Sequence, residues 1–186
     1  MDTKSTLEQR FKTYFHDMQK CLSSGAYWSL LHVVVCLPDI CAALSSSDGE
    51  SKGPRYVKWC DRFANDPALT GAERWQLRCK VLHQGRAATG KSGRYTAYAF
   101  GKPAQTGEID HKRVQGTTLH LDVGELARET TTAVNTWITW IAANPTSSEA
   151  KNVNKNLPAL VQVTTHVVSQ ANPKFGYAIF SVAKTN

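Results

Sequence analysis

Residues 70–85 read TGAERWQLRCKVLHQG, and this stretch decides how the chain is built. Thr70 with Glu73 three residues later is a capping-box pair, in which hydroxyl and carboxylate satisfy backbone N–H groups left open by a first helical turn. Trp75, Leu77, Cys79, Val81 and Leu82 supply the apolar positions, and Gly85 is the residue that accepts the left-handed conformation ending a helix. The spacing predicts a helix over 71–84, with His83 in its last turn. At about 100° per residue, Cys79 and Leu82 fall within about 40° of Trp75. Arg78 lies about 60° to one side of that stripe and His83 about 80° to the other, so the two flank an apolar face.

Toward the N-terminus, Leu7, Phe11, Tyr14, Phe15, Met18, Cys21 and Leu22 recur at three- and four-residue intervals, which predicts an amphipathic helix over 4–22. Ser23, Ser24 and Gly25 break it. A second helix starts near Ala26, with Leu30, Leu31, Val34 and Val35 inward, and Pro38 is expected to kink or interrupt it before it continues toward Leu44. Residues 45–53 read as a loop, and a short helix is expected over 55–63.

Toward the C-terminus, RYTAYAF (94–100) and TTLHL (117–121) have strand-like composition, so residues 89–121 read as a β-hairpin or small sheet inserted between helices. Asp122 and Glu125 then cap a further helix carrying Leu126, Val134, Trp137, Ile138 and Ile141 on one face, ended by Asn144-Pro145. Trp137 reads as core and Trp140 as an edge or interface residue. Residues 150–186 stay uncertain, apart from a last strand expected over 175–182. The fold class is mainly α (α+β): one domain whose helical bundle comprises 4–86 and 122–144.

The chemistry of this pattern lies with Arg78 and His83. An imidazole moves a proton on or off a ribose hydroxyl or a leaving oxygen. A guanidinium forks onto phosphate oxygens and stabilises charge building up on them. Together they suit cleavage of an RNA phosphodiester without metal or other cofactor. Asp39 is a carboxylate that orients Arg78 or pairs with it, Cys79 and Lys80 adjoin the pair, and Arg86, Lys91 and Arg94 are candidate phosphate contacts. The architectural alternative makes Arg78 an ion-pair partner of Asp39 or Asp61, and His83 a helix cap.

RCKVLHQG (78–85) resembles the Rx4–6H motif of HEPN-domain proteins, a superfamily of helical bundles that includes many metal-independent ribonucleases. The order of two long helices followed by a motif-bearing helix end is similar as well. The resemblance covers the helical parts, about half the chain, and departs at Cys79, where the family commonly has a polar residue such as asparagine. It implies a HEPN-like bundle acting as a homodimer, with Arg78 and His83 catalytic and RNA as substrate. It also implies a toxin or defence-effector role with a possible cognate antitoxin. Some HEPN-like domains only bind, which keeps a non-catalytic nucleic-acid or protein-interaction module as the second reading.

GRAATGKS (85–92) fits the P-loop formula, but a helix precedes it and a turn and strand follow, the reverse of the context that cradles phosphate. Nucleotide binding through it is a minor reading. Asp110-His111 and His120 lack a ligand cluster. Tyr95, Tyr98 and Phe100 offer either a base-stacking row or ordinary cross-strand packing.

Bulk composition agrees with a globular protein: 186 residues, 41% hydrophobic and 20% charged, with formal net charge +7. The positive balance favours polyanionic partners such as nucleic acid. Five cysteines without CxxC spacing indicate neither a disulfide framework nor a zinc site. The N-terminus lacks the apolar core of a signal peptide, and the apolar run at Val33–Leu37 is too short to span a bilayer. A cytoplasmic protein is expected.

Overall fold

A computed structural model describes residues 3–85, 93–102 and 110–160, which form six α-helices and a small mixed sheet. Helix α1 (Thr3–Ser23) buries Leu7, Phe11 and Met18, the apolar face read from its spacing. Helix α2 (Tyr27–Leu44) packs against α1 and also touches α3 (Gly53–Phe63), α4 (Gly71–Gln84), α5 (Val123–Ala143) and α6 (Ser148–Asn156). It is the central element, with Leu30, Leu31, Val34, Leu37 and Cys41 all in the core.

Of the two outcomes expected at Pro38, a kink or an interruption, the interruption does not occur: α2 runs through it to Leu44. Proline costs one helical hydrogen bond, on the order of 3 kcal/mol. Here it is itself buried, flanked by Leu37 and Cys41 in the core, so packing on both sides keeps the helix continuous. The apolar content of α2 is also larger than the short apolar run Val33–Leu37 suggests. With 18 residues and mean hydropathy 1.6 it is long and apolar enough to cross a membrane, yet half of it is buried inside the bundle. That is the pattern of a helix surrounded by other helices.

The inserted region is a three-stranded sheet, β1 (Ala97–Gly101), β2 (Arg113–Gln115) and β3 (Thr118–Asp122), in the order β1-β3-β2. β2 and β3 form an antiparallel hairpin, while β1 lies parallel to β3, with Tyr98 opposite Leu119. β1 starts three residues later than its composition implies, because Tyr95 is diverted: its hydroxyl donates to the Ala68 carbonyl at 2.9 Å. The Tyr98 hydroxyl donates to the Glu73 carbonyl at 3.3 Å. Both rings are buried, so packing against α4, not base stacking, is their role here. Asp122 ends β3 and caps α5, its Oδ1 accepting from the Glu125 N–H at 2.9 Å. Sheet and bundle are thereby joined without a linker.

Helix α6 was not anticipated, although Ser147 caps it and Ala150, Val153 and Leu157 reach the core at helical spacing. Asn156 ties it down by donating through Nδ2 to the carbonyls of Leu44 at 3.1 Å and Ser46 at 2.7 Å. The strand expected over 175–182 lies outside the described residues.

Candidate active site

Helix α4 follows its sequence signals residue by residue. Thr70 and Glu73 form the capping box, and Gly85 closes the helix in the left-handed region at φ 56°. Between them the helix carries Arg78 toward α2 and His83 toward solvent. Arg78 Nε donates to Asp39 Oδ2 at 2.5 Å, and its Nη1 lies 2.8 Å from His83 Nε2. The helical wheel put the two residues on opposite flanks of the apolar stripe, yet their tips meet. Helical side chains lean toward the N-terminus, so His83 tilts back over the preceding turn, where the long arginine reaches it.

A guanidinium can only donate, so a hydrogen bond across this contact uses the Nε2 lone pair, the tautomer with its proton on Nδ1. Asp39 is itself held, accepting from Ser51 Oγ at 2.7 Å through its other oxygen. The Arg78 side chain is 20% exposed and His83 is exposed. Burial would lower the affinity of Arg78 for its proton, but the hydrogen bond and charge of Asp39 outweigh this and raise it, so the guanidinium stays cationic. Trp75 supports the group from below, with its ring centroid 5.1 Å from the guanidinium carbon. Cys79 is half-buried beside it.

Of the other residues singled out from sequence, Arg94 lies elsewhere. It donates through Nε to Glu73 Oε1 and through Nη2 to Glu73 Oε2, both at 2.7 Å, and Nη2 also reaches the Pro67 carbonyl at 2.8 Å. It therefore reinforces the start of α4, ten residues or about 15 Å along the helix from His83. Lys80 is half-buried in α4. Arg86 and Lys91, and all of the 85–92 loop after Gly85, lie outside the described residues. Asp61 is not the partner of Arg78; its Oδ1 accepts the Gly71 N–H at 2.7 Å.

Sequence reasoning missed a second charged constellation where the sheet meets the bundle. Arg74, with a side chain 7% exposed, approaches Asp66 at 3.7 Å and Glu129 at 3.5 Å. Lys112, in the left-handed region at φ 63°, pairs with Asp66 at 2.5 Å and with Glu129. His111 Nδ1 accepts the Asp122 N–H at 3.1 Å, leaving Nε2 to donate to Glu129 Oε1 at 3.2 Å. Two carboxylates thus face two cations and a histidine. Burial would raise the Glu129 carboxyl, but the His111 and Lys112 hydrogen bonds override it and hold it at about 2. The cluster clamps the insertion to α4 and α5. Its one sequence signal is the charged pair Arg74 and Glu129 placed among core-forming positions of two helices.

All five cysteines are free thiols, and among the described residues no group of three or more His, Cys, Asp and Glu is placed to hold a metal ion. No protein-family model, curated protein or solved structure matches the chain.

Proposed function

We propose that the chain is a HEPN-like, metal-independent endoribonuclease with Arg78 and His83 as its catalytic residues. The observation that carries this reading is the 2.8 Å contact between a permanent cation and a solvent-facing imidazole at one helix end. An incoming phosphate competes for the Arg78 N–H groups and releases the His83 lone pair. The imidazole then takes the proton of the ribose 2′-hydroxyl, the 2′-oxygen attacks phosphorus, and the P–O5′ bond breaks as the imidazolium so formed returns the proton to the leaving 5′-oxygen. The products are a 2′,3′-cyclic phosphate and a 5′-hydroxyl. Asp39 acts as a positioning residue through Arg78. A homodimer joined beside α4 would set two such pairs in one cleft, and a toxin or defence role with a cognate antitoxin belongs to the same reading.

The full chain incubated with RNA in EDTA should yield cyclic-phosphate ends, and His83→Ala should abolish them at unchanged melting temperature. Intact RNA after incubation with the wild-type chain would sink the proposal.

A second reading is favoured by one observation: Arg78 joins α4 to α2 through Asp39 and rests on Trp75. In that case the chain is a non-catalytic nucleic-acid-binding or interaction module, and His83→Ala changes nothing.

A further inference from the structure

The α3 sequence places Arg55, Lys58 and Arg62 at intervals of three and four, one cationic stripe running beside Trp59 and Phe63. In the fold this stripe borders a cavity of about 240 Å³ between α3, the end of α2, α5 and the first turn of α6. The far wall is Trp137 and Trp140. The Arg62 guanidinium carbon stands 3.9 Å over the Trp140 ring centroid, so the cation is stacked on one face of the indole. The first turn of α6, Ser148 and Glu149, lines the same cavity, adding the positive end of a helix dipole.

One buried group here lacks the partner that a purely architectural site would provide, and the cations outnumber their countercharge. The buried Trp59 Nε1–H has no acceptor among the described residues. Lys58 is exposed and makes no close ion pair among them, sharing only the charge of Glu149 with Arg62, which stands 3.6 Å from that carboxylate, whereas Arg55 is paired with Asp48. Three cations facing the single Glu149 carboxylate, a buried orphan donor and aromatic walls call for a ligand with an anionic end, oxygen acceptors and a planar ring. At about 240 Å³ the space falls below the usual drug-sized range, so it admits one such unit, not several.

We infer that this cavity binds a single nucleotide, with the phosphate on Lys58 and Arg62 and the base against Trp140 and Trp59. The inference does not involve His83 and stands apart from RNA cleavage. The same chemistry is offered by a free mononucleotide and by one unpaired nucleotide of an RNA chain.

Calorimetry and tryptophan fluorescence on the full chain test it, using the four ribonucleoside monophosphates, their nucleosides, ribose 5-phosphate and a hexauridylate strand. At least one monophosphate, or the strand, should bind saturably and at least about tenfold more tightly than nucleoside or ribose 5-phosphate alone. Lys58→Glu should weaken it at least about tenfold at unchanged melting temperature. His83→Ala should leave it intact, and in that variant the strand cannot be cleaved by the proposed route. A strand that binds more tightly than any monophosphate identifies RNA as the source; the opposite order identifies the free nucleotide. No saturable binding, equal binding of nucleoside and nucleotide, or full affinity in Lys58→Glu overturns the assignment.

Discussion

Arg78 Nε lies 2.5 Å from Asp39 Oδ2, so the helix bearing the Arg78–His83 pair is tethered to the C-terminal half of the central helix by one charge-assisted hydrogen bond. Asp39→Asn keeps the shape and removes the countercharge from a guanidinium that is four-fifths covered. A loss of about 1–3 kcal/mol is expected by chemical denaturation, below the cost of breaking a fully buried pair because some solvent remains. His83 is exposed, and His83→Ala should leave stability within about 0.5 kcal/mol. RNA cleavage should fall in both variants. A cleavage rate unchanged by His83→Ala would assign the pair to architecture alone.

Gly71→Ala should destabilise the protein even though alanine is the better helix former by about 1 kcal/mol. A Cβ at this position would stand 2.5 Å from the Val57 carbonyl oxygen and 2.6 Å from Asp61 Oδ1. The obstacle is backbone of α3, which cannot swing aside. A net loss of at least about 2 kcal/mol is expected in urea titrations, while a stabilised variant would show that α3 and α4 are farther apart than described.

Acid stability should report on the clamp around Glu129. Its folded value, about 2, lies below its ordinary 4.5, so the stabilisation is fully present above pH 4.5. It is lost as pH falls from 4.5 toward 2. Such a shift corresponds to about 3 kcal/mol at most. Melting temperatures followed through this window should fall, and Glu129→Gln should flatten that fall while lowering stability at neutral pH. Parallel curves for the two proteins would refute the assignment.

The thiols should divide into two classes. Cys41 and Cys60 are buried, and desolvation raises both, Cys60 to about 12, so neither supplies thiolate at neutral pH. Iodoacetamide applied to the native protein should spare them and reach only Cys21, Cys36 and Cys79, which are half-buried. Mass spectrometry of labelled peptides decides this, and modification of Cys60 before unfolding would contradict the packing of α3.

What the sequence made legible follows from how local each signal is. The ends of α4 were readable because Thr70, Glu73 and Gly85 act within one or two turns. The apolar face of α1 was readable from its period. The parallel pairing of β1 with β3 was not, since it depends on residues twenty-one apart finding each other. At Pro38 the continuity of α2 was not legible, because the cost of proline is local and its compensation tertiary. At the candidate site, sequence supplied Arg78, His83 and the partner Asp39, but not the contact between guanidinium and imidazole, which depends on side-chain tilt. The Arg74–Lys112–Glu129 clamp escaped because its members come from α4, the turn before β2 and α5.

The surroundings of α2 carry a consequence for synthesis. Its greasiest surface is covered partly by α5, which begins about eighty residues after α2 ends. While the ribosome makes the intervening segment, the side of this 18-residue hydrophobic helix that faces α5 stays uncovered. Newborn chains should therefore depend on chaperone shelter until residue 143 has emerged, and truncations ending before α5 should be recovered in inclusion bodies.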